Sequence, residues 1–277
     1  MSNTQRGTIH VGDGELYYEM AGSGTPLVLC HAGFVDSGMW DDQWEEYARF
    51  FHVVRYDMRG YGRSGEALGP MSRRTELESL IDQLAIQHAV LVGCSMGGAT
   101  VLDLALEHPE KAEALVLVST VPGGFEFQGP PPPDLIDMFA AMRQGDLGRV
   151  SELQLRLWVD GRFRQPEQTD PQVRRRAAEM NRIPVERGTW ARVDAQPLAP
   201  LDPPAVLRLD QIHVPTLIVD GALDDPEVLR AAGTMERGIP GARKLVIPDA
   251  AHVPNMERPA EFNQAVLSFL RERLGMR

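Results

Sequence analysis

Short, uninterrupted apolar runs alternate with stretches of helical periodicity along most of this 277-residue chain, and no other feature constrains the fold as strongly. Leu27–Cys30, Ala89–Val92 and Ala114–Val118 are too short for helices and too continuous for strands with one wet face. Such runs belong to strands buried on both faces, with the helical stretches between them forming the crossovers of a parallel sheet. The pattern predicts helices over Gly38–Phe50, opened by Asp36 or Ser37, and over Ser72–Gln87 and Met96–Glu107. His52–Tyr56 reads as a further strand. Before these, Thr8–Val11 and Glu15–Met20 read as a hairpin, because Gly12-Asp13-Gly14 tolerates the positive φ a tight turn needs. The fold class is therefore α/β, with a mostly parallel central sheet and helices on both faces.

The rhythm stops at about Val121. Pro130–Pro133 cannot lie inside a helix, and from Asp134 to about Val193 the patterns are helical, with breaks expected at Gly145, Pro166, Pro171 and Pro184. Pro197, Pro200, Pro203 and Pro204 mark a return linker. The alternation then resumes with a strand at Thr216–Asp220, a helix at Pro226–Arg237, a strand at Arg243–Ile247 and a final helix at Pro259–Leu274. The expected organisation is one α/β core formed by 1–120 and 206–277, with residues 121–205 inserted as a helical cap.

Composition narrows the functional classes. Acidic side chains outnumber basic ones 39 to 28, for a net charge of −11, which disfavours nucleic acid and anionic membrane as partners. Cys30 and Cys94 are the only cysteines, so no disulfide framework is expected. No apolar run reaches the ~20 residues of a membrane span, and Met1–Arg6 opens no signal-peptide pattern. A cytoplasmic protein is expected. All but two of the basic residues are arginine, and they concentrate between Arg143 and Arg192. The triplet Arg174-Arg175-Arg176 reads as a solvated helix face.

Gly93-Cys94-Ser95-Met96-Gly97 fits G-x-S-x-G, a weak pattern taken alone. Here a buried strand ends at Gly93 and a helix begins at Met96, the strand–turn–helix setting in which a strained elbow lifts a serine hydroxyl clear of the sheet. Serine needs a base, and the base needs a carboxylate to orient it. His252 follows the strand Arg243–Ile247 in the loop before the last helix, where such a base belongs. Three aspartates after the strand Thr216–Asp220 compete for the acid. Asp220 sits at the strand end, Asp225 precedes Pro226 and reads as a helix cap, and Asp224 lies in the loop between them. Asp224 is the expected acid.

These motifs together resemble the α/β-hydrolase fold family across nearly the full length of the chain. Gly93-Cys94-Ser95-Met96-Gly97-Gly98 resembles its elbow, Tyr56–Ser64 its Y-D-x-R-G-x-G-x-S loop, and Ala251–Pro259 the segment that carries its histidine. The spacing from Gly221 to Asp224 is similar to the family's acid loop. The resemblance implies an α/β-hydrolase fold and a catalytic Ser95, Asp224 and His252. It also implies an oxyanion hole formed by two backbone N–H groups. One is Met96; the other comes from His31-Ala32-Gly33-Phe34, with Gly33 the first candidate and Phe34 the second. Ala32 stands where the family usually has glycine. His31 is expected to brace this loop by hydrogen bonds.

Competing signals are weaker. Gly60-Tyr61-Gly62-Arg63-Ser64-Gly65 fits the dinucleotide fingerprint literally, but Pro70 follows instead of a direct helix, and Glu78 falls within a predicted helix. No clustered Cys/His spacing suggests a metal. No cofactor is expected. A serine nucleophile argues against the dehalogenases and epoxide hydrolases, which use aspartate. The C–C bond hydrolases carry asparagine before the nucleophile and tryptophan after the histidine, where this chain has Cys94 and Val253. Asp36–Gln43 and the histidine segment look more like the enol-lactonase and small carboxylesterase branch. The expected substrate is a small carboxylic ester or lactone. Phe34, Met138, Trp158 and Trp190, with Phe125, Phe127 and Met142, are candidates for lining its pocket. A C–C bond hydrolase, or a non-enzymatic ligand receptor on the same fold, is the alternative.

Overall fold

The computed structural model describes residues 4–194 and 198–275. Pro197 of the expected return linker and the start of Met1–Arg6 lie outside the described residues. The first two strands, β1 (Gln5–Val11) and β2 (Gly14–Gly22), form the expected hairpin, with Val11 opposite Gly14 and Gly12 at φ +55° in the turn. β3 (Pro26–Cys30) is followed by a short 3-10 turn, Ser37–Trp40, whose first N–H groups are served by Asp36: its Oδ1 accepts the Gly38 N–H at 2.9 Å. Helix α1 (Asp41–Tyr47) continues from that turn and stops well before Phe50, because Trp44 and Tyr47 are already buried against the sheet and the chain must turn into β4 (His52–Tyr56).

Helix α2 (Arg73–Gln83) is capped by Ser72, whose Oγ accepts the Thr75 N–H, and it ends short of Gln87 at Ala85, which has φ +55°. β5 (Ala89–Cys94), α3 (Met96–Glu107) and β6 (Ala112–Val118) follow, and all six residues of β5 are buried. Between β6 and β7 stand α4 (Pro133–Gln144), α5 (Leu147–Leu155) and α6 (Pro171–Arg187). The core closes with β7 (Thr216–Gly221), α7 (Pro226–Gly238), β8 (Arg243–Ile247), the single turn α8 (Pro254–Glu257) and α9 (Pro259–Leu274).

The eight strands form one sheet in the order β1-β2-β4-β3-β5-β6-β7-β8. β1–β2 and β2–β4 pair antiparallel; every other pair is parallel. The chain moves outward from β3 to β4 and then crosses back to β5 on the other side of β3. Such a reversal opens a crevice above the carboxyl ends of the two central strands. One face of the sheet packs under α1 and α9, with Trp40, Tyr47 and Phe262 fully buried. The other packs under α2, α3 and α7. Cys94 belongs to the first face and Cys30 to the second, so the two buried thiols are separated by the sheet itself.

The inserted helices have a hydrophobic cluster of their own, built from Met138, Ala141, Val150, Leu153 and Val185. Pro184 does not break α6, contrary to the expectation from sequence. It sits in the last turn, where Gly188 ends the helix at φ +61° and donates its N–H back to the Pro184 carbonyl. A proline one turn from a helix end forfeits a single backbone hydrogen bond, so the helix survives it. Arg174 and Arg176 are not simply a solvated face. Arg174 pairs with Glu152 and Asp160, and Arg176 reaches Asp42 of α1 at 2.8 Å; Arg175 alone of the three is exposed.

Candidate active site

Ser95 takes φ +53° and ψ −115°, a conformation that costs a non-glycine residue about 1–3 kcal/mol. The surroundings hold it there. Its N–H donates to the Val118 carbonyl at 2.8 Å, and its own carbonyl accepts the Ala99 N–H at 3.0 Å. Three glycines make the turn sterically possible. A Cβ on Gly97 would lie 2.5 Å from both the Cys30 and His31 carbonyl oxygens, one on Gly93 would strike the Gly97 carbonyl, and one on Gly98 would strike Thr120. The start of α3 is thereby pressed against the end of β3, and Ser95 is raised at the crevice between β3 and β5.

The β7 and β8 loops are stitched to each other. Ala222 N–H donates to Ile247 O at 2.9 Å and Leu223 N–H to Ala250 O at 2.8 Å, while a Cβ on Gly221 would collide with the Ala250 and Ala251 carbonyls. This brings Asp224 to His252. His252 Nδ1 is 2.8 Å from Asp224 Oδ2 and 3.1 Å from Oδ1, and both residues are buried. A carboxylate there fixes the tautomer, with the proton on Nδ1. Nε2 is buried and has no hydrogen-bond partner. Of the other two aspartates, Asp225 caps α7, its Oδ1 accepting the Glu227 N–H at 2.8 Å. Asp220 is fully buried with neither oxygen bonded, and burial, with Asp224 adding to the effect, pushes its carboxyl up to about 8.

The loop after β3 is held at successive residues. Met58 N–H donates to His31 Nε2 at 2.9 Å, so the ring proton is on Nδ1 and donates to Ala32 O at 2.8 Å. Burial pushes the His31 ring down to about 4, which keeps it neutral. Gly33 adjoins Met96: a Cβ on Gly33 would lie 3.2 Å from Met96 Sδ. Met96 is the first residue of α3, so its N–H has no partner within the helix.

The Tyr56–Ser64 motif builds scaffold around this loop. Asp57 accepts the N–H groups of Ser37 and Arg63 through its two oxygens, at 2.9 and 2.8 Å. Ser64 Oγ donates to the Asp57 carbonyl and accepts the Tyr17 N–H. The glycine pattern at 60–65 is thus a tight loop tied into the sheet.

Ser95, Asp224 and His252 line one cavity of about 1020 Å³, together with Gly33, Phe34, Met96, Trp158 and Trp190. Phe34 and Trp158 stand ring to ring at 5.1 Å. Met138 is not on that wall, nor are Met142 and Phe125. Met138 is fully buried in the hydrophobic cluster of the inserted helices, facing their interior. Phe127 is on the wall, and so are residues that were not candidates: Arg156 and Arg162 of the arginine-rich stretch, Asp194, and Pro130–Pro133, whose proline run read only as a helix boundary. The inserted segment also clamps the histidine loop. Arg164 pairs with Glu257 at 2.6 Å, and Glu257 accepts the Ala251 N–H at 2.7 Å.

The alpha/beta hydrolase family model matches residues 27–265, more than four-fifths of the chain and every strand of the parallel part of the sheet. The chain belongs to the alpha/beta hydrolase family. Among its relatives, the pimeloyl-(acyl-carrier protein) methyl ester esterase of Yersinia enterocolitica is 28% identical over 262 residues, 93% of this chain and 98% of that one. The 2-hydroxy-6-oxo-6-phenylhexa-2,4-dienoate hydrolase of Comamonas testosteroni is 27% identical over 269 residues, 93% of this chain and 92% of its own. Among solved structures, the enol-lactonase from Burkholderia xenovorans superposes with a TM-score of 0.78 at 25% identity, covering 95% of this chain and 99% of that one. Among the described residues, no helix is long and apolar enough to cross a membrane, and no group of three or more metal-ligating side chains is present.

Proposed function

We propose that this family member is a cytoplasmic serine hydrolase that cleaves a small carboxylic ester or lactone through an acyl-enzyme, with residues 121–205 acting as a cap over the site. The observation that carries the reading is the state of His252: a buried ring oriented by Asp224 through Nδ1, with Nε2 unpartnered, in the cavity that Ser95 also lines. In this reading Ser95 Oγ attacks the carbonyl carbon as its proton passes to His252 Nε2, and Asp224 stabilises the imidazolium. The developing oxyanion meets the N–H of Met96 and that of Gly33, with Phe34 as the alternative donor. His252 then protonates the departing alkoxide, which in a lactone stays tethered to the acyl group. Water, deprotonated by His252, releases the acid. No cofactor enters.

The ester and lactone classes are supported by the names of the Yersinia and Burkholderia relatives and by the largely apolar walls of the cavity. The Comamonas relative keeps a second reading in view, cleavage of a C–C bond in a vinylogous diketone. Cys94 and Val253 at the two positions flanking the reacting residues weigh against it. A panel of p-nitrophenyl esters, lactones and vinylogous diketones, assayed with the wild type and Ser95→Ala, separates the classes. Repeated, Ser95-dependent turnover of esters or lactones supports the proposal, and turnover confined to diketones replaces it with the second. A single burst followed by silence replaces both with a ligand receptor.

A further inference from the structure

Tyr61 is fully buried and does not line the cavity, yet its hydroxyl donates to the Gly33 carbonyl at 2.8 Å. The same hydroxyl lies 2.6 Å from Asp194 Oδ2, so its single proton is shared between the carbonyl and the carboxylate. Asp194 belongs to the last helical turn of the inserted segment, Trp190–Asp194, and its other oxygen is gripped by Arg73 through Nη2 at 2.9 Å and Nε at 3.0 Å. Arg73 in turn donates to the Arg59 carbonyl at 2.8 Å. A continuous chain of polar contacts therefore runs from the inserted segment, through the buried Tyr61 side chain, to the loop after β3, with Arg73 bracing Asp194 from the side.

What this chain touches is the glycine of that loop, Gly33. A trans peptide is planar, so fixing the carbonyl of one residue fixes the direction of the next residue's N–H. The Ala32 carbonyl is held by His31, which aims the Gly33 N–H; the Gly33 carbonyl is held by Tyr61, which aims the Phe34 N–H. Glycine between these two peptides imposes no rotational preference of its own. The Phe34 carbonyl is held from above, by Asn181 Nδ2 of α6 at 2.8 Å.

We propose that Tyr61 and Asp194 are positioning residues for the oxyanion loop. Tyr61 sets the Gly33–Phe34 peptide and with it the Phe34 N–H, the alternative donor named above, and Asp194, anchored by Arg73, sets Tyr61, so that seating of the inserted segment determines how well that amide meets the oxyanion. The proposal rests on the acyl-transfer reading above, and neither residue touches substrate through this contact.

The test uses Tyr61→Phe, which keeps the ring packed edge-on against His31 and removes only the hydroxyl. Steady-state kinetics with p-nitrophenyl butyrate are read beside inhibition by a trifluoromethyl ketone of matching chain length, whose adduct carries the oxyanion. A positioning role predicts kcat lowered about 10- to 100-fold, KM within about 3-fold, and inhibition weakened in proportion to kcat. Asp194→Asn, which keeps the shape and removes the charge, shifts kcat in the same direction by a smaller factor. Amide hydrogen exchange rises at residues 32–35 and not in α3. Unchanged kcat and unchanged exchange at 32–35 overturn the proposal while leaving the Ser95 reading intact. A fall in rate matched by KM alone, or by the fraction unfolded in a thermal melt, also overturns it. Wild-type turnover that survives Ser95→Ala overturns the underlying reading and this proposal with it.

Discussion

The backbone N–H of Asp225 donates to Asp224 Oδ1 at 2.7 Å, so two adjacent aspartates with the same side chain are locked into different tasks. Asp224 turns toward His252, and Asp225 turns away to cap α7. Asp224→Asn is expected to keep the fold and lower kcat about 10³- to 10⁴-fold, since an amide there favours the wrong imidazole tautomer. Asp225→Asn retains a capping oxygen and should leave kcat within a few-fold, while Asp225→Ala costs about 1 kcal/mol of stability. Ester kinetics and urea melts of the three variants check this; a larger rate loss at Asp225 than at Asp224 would reverse the assignment.

Two glycines near Ser95 should respond differently to the same added methyl group. At Gly97 a Cβ meets two backbone carbonyls that cannot move without parting β3 from α3, so Gly97→Ala is expected to cost ~2 kcal/mol or more. At Gly33 the nearest atoms belong to the flexible Met96 side chain. Gly33→Ala should stay within about 1 kcal/mol of the wild type. Denaturant midpoints measure the first difference. The second variant should fold and lose rate, because Met96 must shift beside the reacting centre.

Asp220 gives stability a pH dependence with a definite sign. Its carboxyl is held up at about 8 in the folded protein, against an ordinary value near 4 when the chain is unfolded. Its contribution is therefore complete below about pH 4 and is lost as pH rises toward 8. His31 runs the other way. Held down at about 4 by burial, it lowers stability as pH falls below its unfolded value of 6.5, and it adds no slope above that value. Between pH 6.5 and 8, Asp220→Asn should thus become progressively more stable than the wild type, by roughly 1.4 kcal/mol per pH unit at the steepest. The neighbouring Lys244 and Glu236 are themselves paired at 3.0 Å. Urea denaturation at pH 6.5, 7.25 and 8 tests the trend, and a gap that stays constant with pH contradicts it.

The positions of Met138 and Trp158 predict a separation of stability from specificity. Met138 is buried among the inserted helices, so Met138→Ala should cost about 2–5 kcal/mol with little change in preference among esters of different chain length. Trp158 lines the cavity against Phe34, so Trp158→Ala should move that preference toward bulkier acyl groups. A p-nitrophenyl ester series from acetate to decanoate reads both.

Much of the fold was legible because its signals are local. β4, β8, α3 and α9 occupy the expected residues, and β3, β5 and β6 contain the unbroken apolar runs. The meeting of Asp224 with His252, beside the cavity that Ser95 lines, was legible because all three lie in or beside recognisable turns that follow β5, β7 and β8. Where the reading missed, the deciding partner lay far away in sequence. α1 ends early because the sheet claims Tyr47, and Arg176 pairs with an aspartate 134 residues away. Met138 gave no sign of which way its face of α4 would turn. The Tyr61–Asp194 contact spans 133 residues and joins two segments whose sequences name no partner. Pairings of that kind depend on how the inserted helices seat on the sheet, which local propensity does not encode.

Covalent trapping tests most directly whether Ser95 carries the acyl group. The wild-type protein is treated with a fluorophosphonate ester, digested and analysed by mass spectrometry, in parallel with Ser95→Ala and with His252→Gln. A single stoichiometric adduct is predicted on the peptide containing Ser95, formed slowly or not at all in the histidine variant and absent from the alanine variant. An adduct on another residue, or equal labelling of the alanine variant, would contradict the account.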